Sequence, residues 1–525
     1  MSNPPDAHIT GDTPSVTVTR KGAADPLILT IDVGTSSVRA ALYDGQARAI
    51  QGLAVQEVHE MRSTPDGGVE VDADQVFQRV CTCIDRALQQ AGDLAGRIVA
   101  VAPTTFWHNV LGVAADGAAI TPIYTWADTR SRAAADELRA VLDADAMHAR
   151  TGCFLHPSYL PAKIRWLQGG AADLRNLRYW LSFAELMMLR FFAQPRCSIS
   201  MASASGLLDQ YSCTWDRETL AAIPLDARQL SPLDDTPQRG LLPRFATRWP
   251  SLANAPWYPG WGDGATSNTG CGSVTRRQAA LMVGTSGALR SAWRADHFTI
   301  PPKLWCYRID RTRIVMGGAL SNGGNLLEWL RDTLRLPCAQ DGTADLRSIE
   351  QQIAGLEPDG HGLTILPFLA GERSPDWATN ATGTISGLRL HTRPIDLMRA
   401  GYEAVAYRFG LIYELLCAAI PDLRAGAAQP VIASGGALLH SPTWMQMMAD
   451  VLDAPVVASA VPEASSRGAA LLALEALGAI AGIEAMTPPL EQTYMPNPAA
   501  TARYRVAALR QRDLYDLLVR SSSAR

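Results

Sequence analysis

One short stretch, residues 27–44, constrains the fold of this chain more than any other; it reads LILTIDVGTSSVRAALYD. A β-rich apolar run ends at Asp32, a Gly-Thr-Ser turn follows at 34–36, and a second apolar run continues to Tyr43. This pattern predicts two strands joined by a tight turn. The N–H groups and hydroxyls of such a turn converge on one point and can cradle an anion. The alternative is an ordinary hairpin with a polar turn.

The same turn occurs a second time, about half a chain further on. Val-Gly-Thr-Ser at 33–36 recurs at 283–286, again after an apolar run and again followed by an arginine, Arg39 or Arg290. Two such turns suggest two similar lobes that face one nucleotide. This organisation resembles the superfamily of actin, heat-shock ATPases and sugar kinases, in which two related lobes clamp ATP. The chain has no G-x-x-x-x-G-K-[ST] segment, so a P-loop is excluded.

Asp32 is a candidate metal ligand. It lies at the end of the first predicted strand, and no cation neighbours it in sequence. Beside a phosphate site this carboxylate would need a counter-ion, and Mg²⁺ with its water shell is the usual one.

The composition limits the class of protein and its partners. At 525 residues the chain is too long for one ordinary core, because domains usually hold about 100–200 residues. A net charge of −4 argues against nucleic acid and membrane surfaces as partners. Nine cysteines without framework spacing fit reduced thiols, and hence a cytoplasmic protein. No apolar run predicts a transmembrane segment, and the polar residues 1–26 predict a disordered tail.

The order of elements predicts an α/β protein. Strand and helix patterns alternate after the first hairpin, with helical spacing at Val76, Val80 and Ile84, and this alternation favours mixed sheets covered by helices. A stretch rich in Pro, Asp and Arg at 226–256 has little periodicity and indicates the lobe boundary. We therefore predict an N-terminal lobe at 27–258, a C-terminal lobe at 259–498 and a last helix at 499–525.

Asp263 is the candidate general base. It lies in the glycine-rich segment 260–264, where a substrate can approach the backbone closely. A carboxylate there could accept the proton of a hydroxyl that attacks phosphorus. The alternative is an Asx turn.

Two further glycine motifs suit a nucleotide. Gly324 directly precedes a helical pattern, and helix N-termini bind sugar or phosphate groups; the alternative is a plain turn with an N-cap. Gly435 and Gly436 end a strand-like run at 431–434, which allows close approach of a flat ring or a ribose. For that pair the alternative is a glycine contact between helix and strand.

Arg373 is a candidate anion ligand. It follows another strand-like run, next to Glu372 and before a proline turn. Buried beside a site, its guanidinium could hold an anion, whereas as a surface pair with Glu372 it would contribute little.

Together these motifs resemble the FGGY carbohydrate kinases, from about residue 27 to about residue 498. The C-terminal signature of that family is present as Gly-Thr-Ile-Ser-Gly-Leu at 383–388 followed by Asp396 and Glu403, with Gly401 as a departure. Within the family the chain is most similar to bacterial gluconokinases. The segments that carry this likeness are 125–131, 150–152, 156–157, 203–206 and 369–373.

The resemblance implies two actin-like, ribonuclease H-like lobes with an ATP and sugar cleft between them. It implies ATP-dependent phosphorylation of a terminal hydroxyl, with ATP and Mg²⁺ as cofactors, a small sugar or sugar acid as partner, and a homodimer, since family members are often dimers. Asp263 matches the general base of the family, and Asp32 matches the carboxylate associated with Mg²⁺. The other matching positions are Gly34, Thr35, Ser36 and Arg39 in the first phosphate loop, Gly284 and Thr285 in the second, Gly324, Gly435 and Gly436 in the nucleotide pocket, and His108, Trp126 and Asp128 at the sugar.

Two positions depart from the pattern of the family. Trp107 stands where the substrate loop usually has Met or a similar residue, and it narrows the sugar pocket. His440 occupies a position that often contacts adenosine; it could stack on a purine or lie exposed on a helix.

We therefore expect a cytoplasmic kinase of a sugar acid, which converts gluconate to 6-phosphogluconate. Arg373 is the favoured cation for the carboxylate, ahead of Arg130 and His156. One alternative is a kinase of a neutral ketose or polyol such as xylulose or glycerol. The other is a non-catalytic nucleotide-binding scaffold, against which Asp32 and Asp263 both argue, because a scaffold needs neither carboxylate.

Overall fold

The computed structural model describes residues 15–337, 345–378, 380–425 and 429–521, and it places the first hairpin in a six-stranded sheet. The strands of this sheet are β1 (Thr17–Val18), β2 (Leu27–Val33), β3 (Ser37–Tyr43), β4 (Ala49–Val58), β5 (Ile98–Thr105) and β6 (Trp261–Gly262). Their order is β1-β4-β3-β2-β5-β6. Strands β2, β3 and β4 are antiparallel neighbours, whereas β2, β5 and β6 run parallel. The strand–turn–strand prediction for residues 27–44 is confirmed.

The second turn lies in a seven-stranded sheet of similar design. Its strands are β7 (Ala280–Val283), β8 (Gly287–Arg294), β9 (Trp305–Arg308), β10 (Arg313–Leu320), β11 (Val431–Ser434), β12 (Val456–Ser459) and β13 (Leu490–Tyr494), in the order β9-β10-β8-β7-β11-β12-β13. The central order β10-β8-β7-β11-β12 repeats β4-β3-β2-β5-β6, with the same parallel and antiparallel pairings. The prediction of two similar α/β lobes is confirmed.

Helices pack against these sheets and bury their central strands. Leu27, Leu29 and Ile31 of β2 have no exposed surface, which is why this strand reads as a continuous apolar run. The helix Ala73–Ala91 begins at Asp72, whose carboxylate accepts the Gln75 N–H, and it buries the apolar positions that the sequence predicts.

The remaining elements complete the two lobes. The other helices of the first lobe are Arg132–Arg139, Ala144–Thr151, Leu160–Trp166, Phe183–Phe192, Ile199–Ser203, Arg217–Ala222, Pro243–Arg248 and Asp263–Gly270. Those of the second lobe are Gly324–Thr333, Leu346–Ala354, Pro394–Ala419, Gly436–Leu439, Pro442–Leu452, Ala464–Ala476 and Pro498–Tyr515. Small sheets are formed by Arg62–Ser63, Val69–Val71 and Ile123–Tyr124, by Leu111–Val113 and Tyr179–Leu181, by Leu208–Asp209 and Thr214–Trp215, and by Thr364–Leu366 and Thr384–Ser386.

The predicted lobe boundary between 258 and 259 is wrong. Strand β6, Trp261–Gly262, pairs with β5 and is therefore the last strand of the first sheet. A strand of two residues has no hydrophobic period to detect, so only its partner in space reveals it. Asp263, at the end of this strand, thus belongs to the first lobe.

The predicted termini also need correction. Thr17 and Val18 pair with Ala49 and Ile50, so the disordered tail predicted to residue 26 is wrong for this segment, and residues 1–14 lie outside the described residues. At the other end, the helix Pro498–Tyr515 packs on the second lobe, where the Tyr504 hydroxyl accepts a hydrogen bond of 2.9 Å from Arg399. The last helix is therefore part of the second lobe.

The two lobes meet closely where one helix of each crosses the other. Gly270 ends the helix Asp263–Gly270, and Gly468 lies in Ala464–Ala476. A Cβ atom at Gly270 would overlap the backbone of Ala464, and one at Gly468 would overlap the backbone of Thr266. Glycine is thus required at both positions for this approach. Among the described residues, no helix is long and apolar enough to cross a membrane.

Candidate active site

A cavity of about 610 Å³ lies between the lobes and is lined by both. Ser434 ends β11, Ser459 ends β12 and Asp263 follows β6, so the carboxyl ends of parallel strands from both sheets reach its wall. This is where ligands bind in open α/β sheets, and the volume suits a small-molecule site.

Two half-buried carboxylates of the first lobe interact at the site: Asp263 lines the cavity, and Asp32 lies outside the cavity wall. Asp263 Oδ1 accepts the N–H of Gly264 at 2.7 Å and that of Trp107 at 3.4 Å. Burial raises the pKa of Asp263, against the nearby positive charge of Arg290. Burial, followed by the charge of Asp263, raises the pKa of Asp32 to about 7, although Arg39 opposes the shift.

This pair of carboxylates fits a divalent metal. Ionising two neighbouring carboxylates away from water costs free energy, because both lose hydration and their charges repel. A hard cation bound by their oxygens offsets that cost. Carboxylate oxygens are the ligands that Mg²⁺ takes, with water in its remaining positions. Asp32, with the charge of Asp263 acting on it, therefore fits the ion that the resemblance implies.

Both glycine turns are closed by a hydrogen bond from their glycine N–H, but the second turn is one residue tighter than the first. The Gly34 N–H donates to the Ser37 carbonyl, and the Gly284 N–H donates to the Ser286 carbonyl, both at 2.9 Å. The Gly324 N–H donates to the Gly284 carbonyl at 2.8 Å, so the helix Gly324–Thr333 holds the second turn in place.

The structure places the predicted nucleotide residues at different depths. Gly435 and Gly436 line the cavity, as does Ser286 of the second turn. Gly435 has a φ of 91° and lies against the backbone of Val283, so no other residue fits there without strain. The predicted residues outside the cavity wall are Gly34, Thr35, Ser36, Arg39, Gly284, Thr285 and Gly324. His440 is exposed, and its Nδ1 lies 2.6 Å from the Gly436 carbonyl.

Arg39 forms an ion pair across the cleft. Its guanidinium pairs with Glu463, which precedes the helix Ala464–Ala476 of the other lobe and lines the cavity. A second guanidinium nitrogen of Arg39 donates to Gln56 at 3.0 Å. Glu463 thus pairs with the Arg39 guanidinium, which the resemblance assigns to the first phosphate loop.

Aromatic side chains line a second part of the cavity wall, the aromatic end. The rings of Trp305 and Tyr307 stack at 4.4 Å, and the hydroxyls of Tyr307 and Tyr159 lie 2.6 Å apart. His108 has a φ of 58° and places Nδ1 2.7 Å from the Ala204 carbonyl. Burial lowers the pKa of His108 to about 3, so its ring is neutral. Flat apolar faces with a few fixed polar groups suit a sugar.

Arg373 lies at this aromatic end and is not paired with Glu372. Its guanidinium lies 4.6 Å from the centre of the Trp126 ring, and its Nη2 donates to the Leu320 carbonyl at 2.8 Å. Its Nε is buried without a partner, and burial lowers its pKa to about 10. Glu372 instead pairs with Arg408 and accepts a hydrogen bond from Tyr515. The alternative of a simple Glu372–Arg373 pair is therefore wrong.

Asp128 does not lie on the cavity wall, and its contact with the sugar stays a prediction. Its carboxylate accepts the Val69 N–H at 3.0 Å and pairs with Arg130 at 2.5 Å. Asp128 is 1% exposed, so both oxygens are held inside the protein. Arg130 is engaged by the same pair and by Glu70, which removes it as a free cation.

The sequence analysis missed the site roles of Arg290, Glu463 and the aromatic wall. Arg290 is 4% exposed and lines the cavity beside Asp263. The available signal was its place just after the second turn, on a strand where alternate residues share one face. Trp305 and Trp377 carry no local motif, and only tertiary structure brings them to the wall.

Comparison with protein families agrees with this architecture. Residues 27–270 match the N-terminal domain of the FGGY family of carbohydrate kinases, and residues 279–477 match the C-terminal domain. The first match extends past Asp263, as does the first lobe of the structure.

Individual relatives include kinases of acidic and of neutral substrates. Gluconokinase of Bacillus subtilis (strain 168) is 28% identical over 90% of this chain and 91% of its own length. Glycerol kinase of Dechloromonas aromatica (strain RCB) is 27% identical over 87% of this chain and 90% of its own.

Solved structures show the same range. The gluconate kinase and the ligand-bound xylulose kinase of Lactobacillus acidophilus superpose with TM-scores of 0.82 and 0.83. Each is 25% identical and covers 94% of this chain and 98% of its own. The chain thus belongs to the FGGY family of carbohydrate kinases, which transfer a phosphoryl group from ATP to a sugar hydroxyl.

Proposed function

We propose that this chain is a cytoplasmic, Mg²⁺-dependent sugar-acid kinase that converts gluconate to 6-phosphogluconate. The observation that carries the proposal is Arg373, a half-buried arginine at the aromatic end of the cavity whose buried Nε has no hydrogen-bond partner. Burying the carboxylate of a sugar acid requires a cation or several donors. A planar guanidinium supplies both in a bidentate arrangement.

The reaction follows from the placement of Asp263. Its carboxylate takes the proton of the terminal hydroxyl while the oxygen of that hydroxyl attacks the γ-phosphorus of ATP. Backbone N–H groups of Gly264 and Trp107 hold Oδ1 of Asp263 in place. Asp32 would hold Mg²⁺, which supplies neutralisation of the phosphate charge when bound. The neutral ring of His108 and the hydroxyl pair of Tyr159 and Tyr307 would orient the hydroxyls of the sugar.

A second candidate is a kinase of a neutral ketose such as xylulose. The xylulose kinase of Lactobacillus acidophilus superposes as well as the gluconate kinase does, and the stacked rings of Trp305 and Tyr307 suit any sugar. The choice between the candidates thus depends on Arg373.

The test compares acceptors in the wild type and in Arg373→Lys. Lysine keeps the charge but loses the planar fork of donors. The activation free energy for gluconate should therefore rise by about 1–3 kcal/mol, measured as a fall in kcat/KM. The value for xylulose or glycerol should change much less. Equal losses on both acceptors would make Arg373 structural. Faster turnover of a neutral acceptor by the wild type would favour the second candidate, and no turnover of any acceptor would favour a non-catalytic scaffold.

A further inference from the structure

Arg290 is a buried arginine of the cavity whose guanidinium acts on the charge of Asp263 but forms no salt bridge with it. The part of the chain that the structure describes gives its Nε no hydrogen-bond partner and its guanidinium no ion pair. The side chain is 4% exposed and lines the cavity. Removing a guanidinium from water without a partner costs free energy, so an anionic ligand is the natural counterpart.

The register of the second sheet fixes where Arg290 points. On β8, Ala288 and Arg290 lie two residues apart and therefore share one face of the sheet. Ala288 and its partner Met282 on β7 both line the cavity. The face that carries Arg290 is thus the face that the cavity covers.

The neighbouring strand leaves room for the arginine. Gly317 on β10 lies opposite Arg290, and a Cβ atom there would overlap the Leu289 carbonyl and lie only 3.0 Å from Arg290 Cγ. Trp305 pairs with Gly317 on its other side and also lines the cavity. Arg290 therefore lies in one row with the aromatic wall.

The guanidinium lies beside the group that removes the proton of the acceptor. A Cβ atom at Gly264 would collide with Arg290 Nη1, so this nitrogen fills the space next to Asp263. Whichever carbon of the acceptor is phosphorylated, its reacting oxygen must lie at Asp263. The incoming phosphoryl group therefore arrives next to Arg290.

We propose that Arg290 is a catalytic residue that binds the phosphoryl group in transit, and that it also binds the phosphate of the product. The proposal rests on Asp263 as the base in the proposed function. During transfer the acceptor oxygen forms a bond to the γ-phosphorus, the bond from that phosphorus to the ADP oxygen breaks, and Asp263 receives the hydroxyl proton. Arg290 donates N–H hydrogen bonds to the phosphoryl oxygens throughout.

This assignment gives the two arginines separate tasks. Arg373 lies against Trp126 at the sugar end, whereas Arg290 lies against Gly264 at the reacting end. A phosphorylated sugar acid carries one anion at each of its ends. Two cations on the wall of one cavity, both close enough to Asp263 to act on its charge, can each bind one of these anions.

The test measures binding of matched pairs of compounds by calorimetry, without turnover. The pairs are gluconate with 6-phosphogluconate and xylulose with xylulose 5-phosphate. In Arg290→Met the affinity for the phosphorylated member should fall by about 10–100-fold, the usual effect of a charge-assisted contact. The unphosphorylated member should bind nearly as before. In the gluconate pair, Arg373→Met should weaken both members alike.

Kinetics and stability complete the test. We expect kcat of Arg290→Met to fall by roughly 10²–10³-fold, as for other donors aimed at developing charge. Its melting temperature should stay close to that of the wild type, because the buried Nε has no hydrogen bond to lose and Asp263 loses only a nearby charge. Arg294→Met, at the exposed end of the same strand, is the matched control and should change none of these values. If Arg290→Met does not fold, Arg290→Lys replaces it in both measurements. It should lose affinity for the phosphorylated member and kcat in the same way, but by smaller factors.

Several results would overturn the proposal. An equal or larger loss of the unphosphorylated acceptor would make Arg290 an acceptor ligand, and unchanged binding of both members would make it structural. If the wild type turns over neither gluconate nor xylulose, the proposed function fails, yet a selective loss of phosphorylated compounds in Arg290→Met would still support the phosphate site. A wild type that binds neither phosphorylated compound contradicts the site itself.

Discussion

The two lobes share one sheet design but supply opposite charges to the cleft. Asp32 on β2 has Met282 as its counterpart on β7, because each residue directly precedes the valine of a Val-Gly-Thr-Ser turn. Around the base, the first lobe provides the carboxylates Asp263, on the cavity wall, and Asp32, outside it, whereas the second lobe provides the arginines Arg290 and Arg373. The pair of Arg39 and Glu463 has the reverse arrangement. The repeated turn therefore determines the fold, and the strand positions around it determine the chemistry.

Removing the base from the first lobe should have the largest effect. Asp263→Asn keeps the shape of the side chain, and we expect kcat to fall by roughly 10²–10⁴-fold, the usual worth of a general base. Affinity for an ATP analogue, measured by calorimetry, should stay nearly the same. Turnover like that of the wild type would show that the Asp263 carboxylate is not the general base.

The other carboxylate of the first lobe should act through the metal. In Asp32→Asn we expect turnover and Mg²⁺ affinity to fall together by about 10–100-fold, as for residues that act on a metal through a water. The measurement is a titration of activity with Mg²⁺. Met282→Leu at the corresponding place of the second lobe is the control and should leave the Mg²⁺ response unaltered. Loss of acceptor affinity with a normal metal response would assign Asp32 to the sugar instead.

The crossing of the helices Asp263–Gly270 and Ala464–Ala476 tests whether close contact between the lobes stabilises the protein. In Gly468→Ala the new methyl group meets the backbone of Thr266, so we expect a loss of about 1–3 kcal/mol in the free energy of unfolding, as for overpacked sites. Denaturant unfolding followed by circular dichroism measures this loss. Gly96→Ala is the control, since open space surrounds Gly96. A variant as stable as the control would mean that the lobes can separate at this crossing without cost.

The ion pair between the lobes should have the smallest effect. Arg39 and Glu463 have side chains that are 23% and 39% exposed, and pairs of this kind contribute about 0.2–1 kcal/mol. Glu463→Gln releases Arg39 toward a phosphate, so KM for ATP should fall by less than about 5-fold at low salt. The effect should fade as salt is added. A rise in KM would instead indicate that Glu463 itself contributes to nucleotide binding.

The sequence predicted the features that depend on local pattern. Both turns, the strands around them and the spacing of Val76, Val80 and Ile84 follow from short-range periodicity, and all of them appear in the structure. The sequence also singled out Asp32 and Asp263, because each lies close to a glycine in a predicted turn.

Features that depend on partners distant in the chain were not predictable. Strand β6 has two residues and exists through its pairing with β5, and Asp128 is occupied by Arg130 and the backbone of Val69. The aromatic wall unites residues from both lobes without a common motif. The position of Arg290 after the second turn was visible in the sequence, but only the register of β8 distinguishes a cavity-facing arginine from a surface one.

The aromatic wall has a spectroscopic consequence. Of the 13 tryptophans in the chain, four line the cavity: Trp107, Trp126, Trp305 and Trp377. Their emission reports the polarity around the indole rings, so an acceptor that displaces water from this wall will change the intrinsic fluorescence of the protein. Arg373 lies over the Trp126 ring, so a carboxylate that draws the guanidinium away will change the signal differently from a neutral sugar. The chain therefore carries its own optical reporter of which kind of acceptor has bound.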